Sequence, residues 1–100
     1  MAKITKQQAQ KLLRDVSEEH VFYCVDGRVA RNLEDLQNAL ANMSDDTFSC
    51  HANPDKNDFA NWVADVIGDE KLAGDIREAA DHLQALEAVS QRGAFLMSKI

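Results

Sequence analysis

The sequence predicts a mainly α protein of the α+β kind, with about four helices and a small two- or three-stranded β-element. Three observations predict it. Apolar residues recur at helical spacing in four stretches, a β-branched and aromatic run ends in Asp26-Gly27, and one proline with four glycines leaves little of the 100 residues for loops. The length fits a single domain, residues 1–100, with one core.

Residues 4–17 place Ala9, Leu12, Leu13 and Val16 on one stripe, with Gln7, Gln8, Gln10 and Lys11 on the wet face, so a first helix is expected there. Val21-Phe22-Tyr23-Cys24-Val25, Asp26-Gly27 and Arg28-Val29-Ala30 read as a hairpin. Asn32 reads as the cap of a second helix over 33–43, in which Leu33, Leu36, Leu40 and Met43 repeat and Glu34 and Asp35 occupy the first turn. Ser44-Asp45-Asp46 ends that pattern. Phe48, Cys50 and Ala52 then alternate with Thr47, Ser49 and His51, which predicts a short half-buried strand over 47–52 pairing with 21–25.

Asn53-Pro54 fits a helix start, although Asn57 or Asp58 would serve for a later one. Phe59, Trp62, Val63, Val66 and Ile67 form the cleanest amphipathic stripe, closed by Gly68, with Asp69 capping the next helix. That last helix is expected over about 70–91, with Leu72, Ile76, Ala79, Leu83 and Leu86 inward and Gly93 breaking it before the apolar tail Ala94-Phe95-Leu96-Met97.

The composition bounds the function. Formal charge is −6, from 11 Lys and Arg against 17 Asp and Glu; residues 1–50 carry 6 basic and 8 acidic side chains, residues 51–100 carry 5 and 9. Such a surface argues against nucleic acid or anionic lipid as the main partner. The residues from Met1 to Gln8 contain no apolar run of a leader, and no stretch has the length of a membrane span. Cys24 and Cys50 form no CxxC, and nothing requires them to pair, so a cytoplasmic protein with reduced thiols is expected.

The aromatic strand, Asp26-Gly27, Leu33-Glu34-Asp35-Leu36, Phe48-x-x-His51, Lys56-Asn57-Asp58-Phe59-x-x-Trp62-Val63-x-Asp65-Val66 and Gly68-Asp69-x-x-Leu72-Ala73 together resemble a family of small uncharacterised prokaryotic domains with a Phe-x-x-His … Lys-Asn-Asp-Phe-x-x-Trp signature. The resemblance implies that residues 21–77 form one unit, with 1–20 and 78–100 as flanking helices. It implies no activity, cofactor or catalytic residue.

The polar cluster His51, Asn57 and Asp58 is the first place to look for a chemical site. Cys50, His51, Asp55 and Asp58 offer zinc-type donors within nine residues, but their spacing matches no zinc pattern, and neighbours on a strand point to opposite faces. Asn57 and Asp58 suit helix capping equally well, and Trp62 suits the core, where its indole N–H needs an acceptor. There is no phosphate loop, nucleophile elbow or calcium loop, so no catalytic residue, metal or cofactor is assigned. The candidate interaction surface is Asp65, Asp69, Glu70, Asp75, Glu78 and Asp81, with Phe95 and Leu96 of the tail. The favoured function is a protein–protein interaction or self-association module, its partner a protein or a second copy of the chain. The rivals are a small enzyme or metal site around His51 and an acidic mimic of nucleic acid.

Overall fold

Six α-helices and two separate hairpins succeed one another in the computed structural model, which describes residues 4–100. Met1 to Lys3, part of the stretch read for a leader, lie outside the described residues. The architecture is mainly α with a small β-element, as expected. No helix among the described residues is long and apolar enough to cross a membrane.

Helix α1, Lys6–Leu13, opens with a capping box in which Thr5 and Gln8 exchange side-chain and backbone bonds. It ends before the stripe does: Arg14 is extended, and Val16 leaves the helix to donate its N–H to the Arg31 carbonyl at 2.7 Å. Val16 therefore fills the core from a loop. A 3₁₀ turn, Glu18–His20, leads into the first hairpin, β1 (Phe22–Tyr23) with β2 (Val29–Ala30), in register Phe22↔Ala30 and Tyr23↔Val29. Gly27 takes the positive φ its turn needs, at 96°. Helix α2, Leu33–Asn42, is capped by Asn32, whose Oδ1 accepts from the Asp35 N–H at 2.8 Å.

The expected strand over 47–52 is instead helix α3, Asp45–His51. Ser44 does not merely end α2; its Oγ accepts the Thr47 N–H at 3.1 Å and starts a new helix, with Asp45 and Asp46 in the first turn where the dipole favours them. Cys50 is consequently exposed rather than half-buried. Only Ala52–Asn53 is strand (β3), and it pairs with Lys56–Asn57 (β4), not with the first hairpin, so the two sheets are independent. Pro54 sits in the turn of this second hairpin and starts no helix. The later of the two expected starts is the real one: helix α4, Asp58–Trp62, is capped by Asn57, which accepts from the Ala60 N–H at 3.0 Å.

The stripe from Phe59 to Ile67 is continuous, but its second half, Val63–Ile67, is wound as a π-helix. The Val63 carbonyl accepts from both Gly68 and Asp69, and Gly68 closes the turn at φ 91°. Arg14 clamps the open end, donating from Nη1 to the Ile67 carbonyl (3.2 Å) and from Nη2 to that of Val66 (3.1 Å).

The single last helix is in fact two. Helix α5, Glu70–Glu78, stops at Ala79, and Asp81 caps α6, His82–Met97, by accepting the Gln84 N–H at 2.9 Å. The break turns Leu83 out to solvent, at 59% exposure, although the sequence stripe places it inward. Gly93 breaks nothing; it lies inside α6, facing Gln37 of α2. The tail is helical to Met97, and Leu96 is wholly buried with Val89 and Ala85. Helix α6 packs against α2, α5 and α1. In the aromatic part of the core, Phe59 stacks on Phe22 and Phe48 at 5.2 and 5.5 Å, with Trp62 edge-on to Phe22.

Candidate functional site

His51 stands at the last turn of α3, its ring 5.2 Å from both Phe22 and Phe59 and its side chain 12% exposed. Its Nδ1 lies 2.9 Å from Asp58 Oδ2, and its Nε2 accepts from the Val25 N–H at 3.0 Å. A ring nitrogen that accepts carries no proton, so the tautomer with hydrogen on Nδ1, donating to Asp58, is the one that satisfies both bonds. A carboxylate that orients an imidazole is half of a catalytic dyad. Here the other half is missing, because the nitrogen that would take a proton from substrate is already occupied by the main chain beside the first hairpin turn.

Asp58 also accepts from Lys56 Nζ at 3.1 Å. Burial pushes its carboxyl up, but the hydrogen bonds from His51 and Lys56 and the charge of Lys56 outweigh this and hold it below the ordinary carboxylate range. Asn57 caps α4 with its oxygen and turns its amide toward the Ile76 carbonyl at 3.5 Å. His51 and Asp58 thus meet, tying α3 and the first hairpin to α4, whereas the Asn57 side chain turns to α4 and α5. Asp55 donates its N–H to Asn53 within the turn of the second hairpin. Among the described residues no group of three His, Cys, Asp or Glu side chains is placed to hold a metal ion. Cys24 is buried, and burial first, with the Asp26 carboxylate adding to it, pushes its thiol above the ordinary value, away from thiolate chemistry.

The acidic residues of the candidate surface are dispersed. Asp69 is 2% exposed and accepts from Arg92 Nε at 2.7 Å and Nη2 at 3.2 Å while capping α5 through the Leu72 N–H at 3.1 Å. It is therefore no surface residue, and neither is Leu96. Asp75 is paired with Lys71 at 3.0 Å, and Asp81 is spent as a cap. Asp65, Glu70 and Glu78 remain exposed, and Phe95 stays 41% exposed with Arg92 and Lys99 against its ring at 5.3 and 5.1 Å.

What the sequence does not show is a groove of about 490 Å³ between α5 and α6. Lys71 and Asp75 form one wall, while Gln84, Glu87, Ala88, Gln91, Arg92 and Phe95 form the other. A second depression of about 330 Å³, between α1 and the start of α5, adjoins it and shares Lys71 and Arg92. The α6 wall takes positions i, i+3, i+4, i+7, i+8 and i+11 from Gln84, which is one face of a helix. That face is legible in principle; the partner wall, set by the break at Ala79 and by the Asp69–Arg92 bond, is not. Compared with known proteins, the chain matches no protein-family model, no curated protein and no solved structure.

Proposed function

We propose that the chain is a protein-interaction module whose contact surface is the face between α5 and α6. The observation that carries this reading is the groove itself: a concave face some three helical turns long, with Ala88 on its wall and the half-exposed Phe95 ring at its end. Helix-lined grooves with an aromatic at one end are a common seat for a partner's side chains. The polar cluster around His51 supports no rival of equal weight, since each of its groups already serves a neighbouring element. The occupant is a protein, either another chain or a second copy of this one, and the two free thiols favour the cytoplasm as the setting.

A photo-crosslinking amino acid at Gln91, on the groove wall, tests this against the same group at Glu34, exposed on α2 and outside the groove. A discrete adduct from Gln91 alone is expected in the native cell. Equal labelling from both sites, or none from either, overturns the reading.

A further inference from the structure

We propose that His51 is a proton-operated latch on the tip of the first hairpin: uptake of a proton at Nε2 releases residues 25–28 from α3 while the ring keeps its place. The latch stands apart from the α5–α6 groove, since none of these residues lines it.

The three histidines are wired differently, and only one can work this way. His20 Nδ1 meets the Ser17 hydroxyl at 2.7 Å, a group that turns to donate or accept as the ring requires. His82 Nδ1 lies 2.9 Å from the Leu40 carbonyl and its Nε2 3.1 Å from Asp45 Oδ1. Both are acceptors, so a second proton there meets a partner. At His51 the Val25 N–H, 3.0 Å from Nε2, can only donate. A proton on Nε2 sets donor against donor, and the bond is lost.

Two features let the ring take that proton where it stands. Nδ1–H keeps its bond to the Asp58 carboxylate, a counter-charge 2.9 Å away, while Phe22 and Phe59 flank the ring at 5.2 Å each. The Val25 contact lies at the surface, so water can satisfy both separated donors. The other charges nearby are already paired: Lys56 with Asp58 at 3.1 Å, and Asp26 with Arg28 at 3.3 Å within the turn. The Cys24 thiol is buried and pushed away from ionisation, and the acidic residues of α3, Asp45 and Asp46, lie at its opposite end.

The tip has little else to hold it. Its turn closes on itself, through the Cys24 N–H to the Arg28 carbonyl and the Gly27 N–H to the Cys24 carbonyl, each at 2.9 Å. Among the described residues, the His51 bond is the one hydrogen bond from residues 25–28 to the chain outside the hairpin. Below the tip, Phe22, Cys24 and Ala30 stay in the core, and Val16 stays bonded to the Arg31 carbonyl. Release therefore moves the tip alone, carrying the exposed Val25 side chain with it.

Heteronuclear NMR of the full chain from about pH 8 to about pH 5 spans the range in which imidazoles titrate and tests the latch. At the upper end, a coupling across the hydrogen bond is expected between the Val25 amide nitrogen and His51 Nε2. As Nε2 takes a proton, that coupling should vanish and the Val25 amide proton should move upfield, while the Ala60 amide, bonded to the Asn57 cap, stays in place. In His51→Gln, whose side-chain oxygen accepts but does not titrate, the Val25 amide should hold its position throughout. A Val25 amide that keeps its coupling and position while Nε2 is protonated overturns the proposal. So does an Nε2 that stays unprotonated to the lower end, or an equal Val25 shift in His51→Gln. Should His51→Gln fail to fold, loss or retention of the coupling in the wild type decides alone.

Discussion

Arg92 of α6 reaches across to the cap of α5, its Nε 2.7 Å from Asp69 Oδ2, and so ties two helices whose contacting residues lie 23 positions apart. Both side chains are nearly sealed from water. Removing one partner strands the other: Asp69→Ser, which keeps a capping oxygen, and Arg92→Leu should each destabilise by about 3 to 5 kcal/mol. The double variant should cost much less than the sum of the two. Urea denaturation of the four proteins measures the coupling, and strict additivity would show that the pair is not a unit.

His51 is predicted to be a structural residue. His51→Phe keeps an aromatic ring against Phe22 and Phe59 but deprives Val25 of its acceptor and Asp58 of a donor. The expected loss is about 1 to 3 kcal/mol of stability, with crosslinking at the α5–α6 groove unchanged. Heteronuclear NMR of the wild type should find the ring hydrogen on Nδ1.

Asp58 makes stability depend on acid. Its carboxyl is held below the ordinary range when folded, so the unfolded chain binds a proton more readily. The stabilisation is therefore complete above the unfolded value, near pH ~4, and is lost as pH falls through the folded value. The stability difference between the wild type and Asp58→Asn should shrink steadily below about pH 4. A difference that stays constant from about pH 6 to about pH 2.5 would count against this linkage.

Two glycines should respond with opposite sign. Gly68 holds φ at 91°, where a side chain is strained even though nothing lies near its would-be Cβ, so Gly68→Ala should cost about 1 to 2 kcal/mol. Gly74 sits within α5 with open space around it, and Gly74→Ala should stabilise by up to about 1 kcal/mol. Thermal unfolding of both variants reads the contrast directly.

What can be read from the sequence is what local patterns encode. Asp26-Gly27 announces the first hairpin, and Asn32 with the Leu33, Leu36, Leu40 repeat announces α2, because cap and stripe lie within one stretch of chain. Helix α3 escapes such a reading because seven residues with one buried side chain, Phe48, carry no measurable period, and Ser44 serves as stop and start at once. The break between α5 and α6 is hidden by a stripe that runs across Ala79; its trace is Asp81 with Gln84 three residues later, a capping pattern. At the candidate site, the meeting of His51 with Asp58 is accessible from their proximity in sequence. The Val25 N–H that occupies the ring, and the Arg92 that buries Asp69, come from distant segments, and no local rule reaches them.

The indole of Trp62 donates to the His20 carbonyl at 2.8 Å and is 7% exposed, and the chain has no other tryptophan. Nature has thereby installed one fluorophore in the wall of the aromatic cluster, on elements other than those that line the α5–α6 groove. Its emission should report melting of the whole domain in a single red shift and stay nearly silent when a ligand seats between the last two helices. Denaturation can then be followed with ligand present, and any shift in the midpoint reports binding through stability rather than through a change at the fluorophore.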